Sequence, residues 1–134
     1  MNKQLSYGFG KTVTLPYEQA VERTREALAS EGFGVLTEIN VRETLKKKLD
    51  VDFRPYVILG ACNPPLAHQA LTNEIDIGLL LPCNVIVYEG EQKGSSVVEI
   101  MDPEAALALS GNADIKPLAH EVKARLERVL ARIG

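Results

Sequence analysis

The chain contains no tryptophan, and aromatic residues make up only 5% of it. Its core must therefore be built from aliphatic side chains. It also lacks an excess of positive charge: 15 Lys and Arg stand against 18 Asp and Glu, a formal net charge of -3. Nonspecific nucleic-acid binding needs surplus cations to replace the counterions on phosphate, so no nucleic-acid partner is expected. No apolar run reaches the roughly 18 residues of a membrane span, so no membrane partner is expected either. The opening residues, Met1-Asn2-Lys3-Gln4-Leu5, carry no signal-peptide apolar region. The expectation is a cytoplasmic protein. Two cysteines are too few for a disulfide scaffold, and in a reducing compartment they are free thiols. Rossmann and Walker glycine motifs are absent, as are a Ser/His/Asp order and paired carboxylates in an apolar setting.

What is present fits one domain, residues 1–134. Ser6 to Leu15 alternates, with Tyr7, Phe9, Val13 and Leu15 on one side, and reads as a first strand. Gly8 and Gly10 weaken it and let another backbone come close. Pro16 opens a helix at a position that has no N–H to lose, and Gly32 closes it. Ala20, Val21, Thr24 and Leu28 are its apolar stripe. Phe33 to Ile39 is a second strand. Asn40 caps a short helix, Val41 to Leu49, whose Lys46-Lys47-Lys48 run suits a solvated helix C-terminus. Tyr56 to Cys62 is a third strand. Asn63 caps the next helix with Pro64 at its first position. Leu79, Leu80 and Leu81 read as a buried lead-in to Pro82. Asn84 to Glu89 and Ser95 to Met101 are the fourth and fifth strands, joined by a hairpin with Gly94. Asp102-Pro103 starts a helix that ends at Gly111. Ile115 to Ile133 carries the best amphipathic stripe in the chain.

This order of elements predicts an α+β two-layer sandwich: a sheet of about five strands, mainly antiparallel or mixed, with helices on one face. The third and fourth strands are apolar on both faces, whereas a two-layer fold covers only one. Either the Pro64–Leu81 segment or a second subunit must cover the other, and the expectation is a homodimer that buries part of it.

The chemistry gathers between Tyr56 and Tyr88. Cys62 is followed by Asn63 and Cys83 by Asn84, each cysteine beside a proline segment. Cys62 ends a strand where a helix N-terminus begins, a place that favours a thiolate. Three readings compete. Both thiols are small packed apolar residues of a structural or interaction module; or they belong to a thiol site, for redox chemistry or capture of a small ligand; or Cys62, His68 and Cys83 hold a metal, with Glu89, water or another subunit as fourth ligand. The ligand-binding candidates are Cys62, Asn63, Cys83 and Asn84, and the expected partner is a small-molecule ligand. No cofactor, substrate or reaction is legible.

Leu59-Gly60-x-Cys62-Asn63-Pro64-x-x-Ala67-x-x-Ala70-Leu71, followed by Leu80-Leu81-Pro82-Cys83-x-Val85-x-Val87, resembles the bacterial and archaeal family called domain of unknown function 302. The similarity spans nearly the whole chain, including the Tyr7/Phe9 strand, the Pro16–Gly32 helix and the Gly-Phe-Gly-Val turn at Gly32–Val35. The resemblance implies a compact α+β domain similar in outline to one half of the TATA-binding-protein fold, and a homodimer. It implies no activity. A likeness of shape does not carry DNA binding with it.

Overall fold

The computed structural model describes residues 2–134. Its strands are β1 (Asn2–Gln4), β2 (Gly8–Val13), β3 (Gly34–Asn40), β4 (Tyr56–Cys62), β5 (Cys83–Glu89) and β6 (Ser96–Met101). They form one six-stranded sheet in the order β1-β2-β6-β5-β4-β3, and every neighbouring pair is antiparallel. The helices are α1 (Tyr17–Ser30), α2 (Val41–Leu49), α3 (Pro64–Asn73), α4 (Pro103–Leu107) and α5 (Lys116–Arg132). The expected α+β sandwich is what forms, with six strands rather than about five and no parallel pair. The extra strand is β1. Three polar residues carry no alternation to read, yet they pair with β2 through the turn at Leu5–Tyr7. The first strand accordingly starts at Gly8, and Tyr7 is exposed in the turn instead of sharing the face of Phe9.

Local chemistry sets most boundaries. The N–H of Gly32 donates to the carbonyl of Ala29 and that of Phe33 to the carbonyl of Leu28, with Gly32 at a φ of +84. This paired closure satisfies the last carbonyls of α1, and its left-handed residue is best supplied by glycine. Asn40, Asn63 and Asp102 each accept a backbone N–H at the start of α2, α3 and α4. Gly10 lies against β6, where a Cβ would come within 2.7 Å of Glu99 Cγ. The glycine thus leaves room for that glutamate.

The inner face of the sheet carries Val57, Leu59, Ala61, Cys83, Val85, Val87, Val98 and Ile100 against α1 and α5. Leu28 and Leu126 are fully buried at that contact. Thr24, also fully buried, donates its hydroxyl to the carbonyl of Ala20. A second, smaller core joins Ala70, Ile77, Leu107, Ile115 and Ala119 under α3, α4 and the start of α5. The 3-10 turn Ile75–Leu80 supplies Ile77 to it. That turn overturns the buried lead-in read from Leu79–Leu81. Its tight winding sends Ile77 inward and leaves Leu79 90% exposed, with Leu80 and Leu81 half-buried. The Pro64–Leu81 segment stacks on the helix layer. The outer face of β4 and β5, with Tyr56, Ile58, Ile86 and Tyr88, is left half-buried.

Candidate functional site

β4 and β5 are interior neighbours, as the two-sided apolar pattern requires. Their register pairs Ala61 with Cys83 and Gly60 with Asn84. Strand alternation then puts Cys83 on the inner face and Asn84 on the outer one. At the end of β4 the chain turns into α3, and a cavity of about 340 Å³ opens there. Its walls come from both cores: Phe33, Ala61 and Val122 on one side, Ala70, Leu107 and Leu118 on the other. Cys62 and Cys83 both line it. The cavity is the seam between the two cores.

The site is electrostatically quiet. No charged or imidazole side chain is among the residues lining it. Asn63 is buried, and its amide is occupied. Its Oδ1 accepts the N–H of Leu66 at 3.4 Å, and its Nδ2 donates to the carbonyl of Glu31 at 3.3 Å. That bond ties the start of α3 to the end of α1. The same corner is held by Arg125, which donates to the Glu31 carbonyl, and by Arg128 and Arg132 on the Glu31 carboxylate. Both thiols are free. Burial pushes the Cys62 thiol up. It pushes Cys83, which is 5% exposed, up to about 11, with the nearby Cys62 adding to the effect. Desolvation is the cause of the upward shift, and Asn63 already engages the first N–H groups of α3, those of Leu66 and Ala67. The chemistry offered is that of two neutral, polarizable, weakly hydrogen-bonding groups in an apolar wall.

The four ligand-binding candidates are thus divided. Cys62, Asn63 and Cys83 line the cavity, while exposed Asn84 faces a different groove on the outer sheet surface. The metal set is not gathered. His68 is exposed on α3 and is not among the lining residues. Glu89 sits at the opposite end of β5 from Cys83, about 20 Å away at 3.3 Å per residue. Among the described residues no three His, Cys, Asp or Glu side chains come together as a metal cluster would. Two features escaped the sequence reading. The far walls of the cavity, Leu107, Leu118 and Val122, come from segments remote in the chain. Glu99 is a carboxylate inside the apolar run Val97-Val98-Glu99-Ile100, and that setting was a readable signal.

A family model described as "Domain of unknown function DUF302" matches residues 9–133. Among solved structures, the crystal structure of an uncharacterized conserved protein DUF302 from Bacillus stearothermophilus superposes with a TM-score of 0.86 at 31% identity. The match covers 96% of this chain and 98% of that one. No curated protein matches.

Proposed function

Because the chain belongs to the DUF302 family, whose description names no activity, we propose a function from the cavity: a homodimeric domain that binds a small apolar molecule against Cys62 and Cys83. The observation that supports this reading is the seam itself. About 340 Å³ of space is walled almost wholly by aliphatic side chains and two neutral thiols. That volume lies at the lower end of ordinary ligand sites, which are mainly apolar with few polar groups. A wall without acid or base favours binding over proton-transfer chemistry. Thiols held above their ordinary pKa favour packing over nucleophilic attack. A cytoplasmic location is part of the reading and accords with two unpaired thiols.

The test uses benzene as probe and iodoacetamide alkylation of half-buried Cys62 as readout. Saturating benzene is expected to slow alkylation of the folded protein severalfold. If benzene leaves the rate unchanged and neither thiol reacts before unfolding, the cysteines are packing residues of a structural module and the binding reading fails.

The second subunit has its own support. Among the described residues, five of the nine exposed large apolar side chains are Leu36, Ile39, Leu49, Val51 and Phe53, all on or near β3 and α2. No residue of α2 is buried. The helix runs from Glu43 in its first turn to Lys46, Lys47 and Lys48 in its last. Two antiparallel copies of α2 would set each acidic end against the other's lysines, as a two-fold contact requires. Ile39 and Ile58, paired in register, extend this patch onto the outer sheet face. Light scattering at micromolar concentration should give twice 14.7 kDa. Lys47→Glu should shift the mass toward monomer, and adding Glu43→Lys should restore the dimer. A monomer throughout would contradict this part of the proposal.

A further inference from the structure

The outer face of the sheet holds a second cavity, of about 540 Å³, at the corner away from β3 and α2. Its floor is β2, β5 and β6, and Gly8 lets the β2 and β6 backbones approach closely there, since a Cβ would come within 2.8 Å of the Ile100 carbonyl oxygen. Its rims are Tyr7 from the β1–β2 turn and Leu109 from the segment after α4, the latter 78% exposed. The α4 wall is held firmly. Asp102 accepts the N–H groups of Glu104 and Ala105 and pairs with Lys123 at 3.0 Å.

At the bottom lies Glu99, only 8% exposed. Its Oε1 accepts the Tyr88 hydroxyl at 3.0 Å and the Lys3 ammonium at 3.5 Å. Lys3 also donates to the Tyr88 oxygen at 3.1 Å. Its Oε2 has no hydrogen-bond partner among the described residues. Yet among the described residues no buried side-chain oxygen or nitrogen lacks a partner. Oε2 therefore keeps some exposure, and Glu99 is one of the residues that line the cavity. A carboxylate oxygen with unused lone pairs, in an apolar recess, is an acceptor waiting for a donor. Its charge is already balanced by Lys3, and Arg54 adds a further cation at 5.8 Å from the Tyr88 ring. The recess thus asks for a hydrogen bond and not for another positive charge.

We propose that this groove is a second binding site, for a neutral molecule with an apolar body and one N–H or O–H donor directed at Glu99 Oε2. The volume suits a bicyclic ring, and Ile86, Met101, Ala106 and Leu109 supply its apolar contacts. The site shares no lining residue with the cysteine cavity, so either one can fail alone.

The experiment is a titration of the ¹⁵N-labelled protein with indole, followed by amide NMR shifts, beside indene, which has the same shape without the N–H, and benzylamine, which is cationic. Indole should give saturable shifts at Leu5–Gly8 and Glu99–Met101. It should bind about tenfold or more tightly than indene and benzylamine. Glu99→Leu should remove the preference for indole over indene. Ala106→Phe, at a half-buried position on the groove wall, should abolish binding of both while leaving the remaining spectrum unchanged. Equal affinity for indole and indene overturns the proposal, as does a preference for benzylamine. So do persistence of the shifts in Ala106→Phe, absence of binding up to millimolar indole, and shifts at these residues that follow protein dilution, which would mark a second copy as the occupant.

Discussion

Cys83 and Glu99 are both buried chemical side chains on interior strands, one on each face of the same sheet. The structure treats them in opposite ways. The thiol sits among aliphatic neighbours with no strong partner, and the cost of its isolation appears only if it ionises. The carboxylate has a tyrosine, a lysine and a glycine-made space arranged around it, and still presents one free oxygen. A weakly polar group can be buried by packing alone, whereas a charged one imposes requirements on three other strands. A buried thiol is thus compatible with having no role, while a buried carboxylate with an open oxygen points outward to a donor.

The largest test of this contrast exchanges chemistries. Cys83→Asp places an unpaired carboxylate in the seam and should cost roughly 3 kcal/mol or more. Asn84→Asp, one residue on and exposed, should change stability by no more than about 0.5 kcal/mol. Urea denaturation of both variants reads the difference. Comparable losses would mean that the seam is wet and Cys83 is not isolated.

The second test is pH. The Cys83 thiol is raised from 9.0 to about 11 in the folded state. Below about pH 9 both states hold the proton and nothing changes. As pH rises further, the unfolded chain releases it while the folded chain keeps it. Stability therefore falls between these values, by on the order of 2 kcal/mol at pH 11. Cys83→Ala should remove that part of the slope in parallel denaturation curves. Identical slopes would place the thiol in contact with water. The smallest effect belongs to the outer face: Tyr88→Phe removes one hydrogen bond from Glu99 and should cost about 1 kcal/mol. Combined with Lys3→Ala it should be non-additive, because Lys3 bonds both partners. Strict additivity in the double-mutant cycle would dissolve the network.

What the sequence made legible follows the reach of each signal. Asn40, Asn63-Pro64, Asp102-Pro103, Gly32 and Gly94 act on neighbours within a turn, and the boundaries they set stand within a residue or two of expectation, although the helix begun at Pro103 ends at Leu107 and reaches Gly111 only through the 3-10 turn Ala108–Ser110. The two-sided apolar pattern of Tyr56–Cys62 and Val85–Tyr88 correctly marked interior strands. β1 escaped because a three-residue strand has no period, and Leu79–Leu81 misled because a 3-10 turn does not follow strand or α-helical spacing. At the site, the pairing of the two cysteine segments was readable. Their cavity was not, since periodicity tells which face is apolar and not where two cores fail to meet. Asn84 shows the finest limit. It follows Cys83 directly, and one strand residue of displacement moves it to the other side of the sheet.

The central claim is that the seam between the two cores accepts a small apolar guest. Crystals equilibrated under xenon pressure test it most directly, since xenon enters dry apolar cavities of this kind. A single strong density peak among Cys83, Ala70 and Leu118 is the predicted result. Full native packing there with no xenon, or xenon found only on the outer groove, would contradict the account.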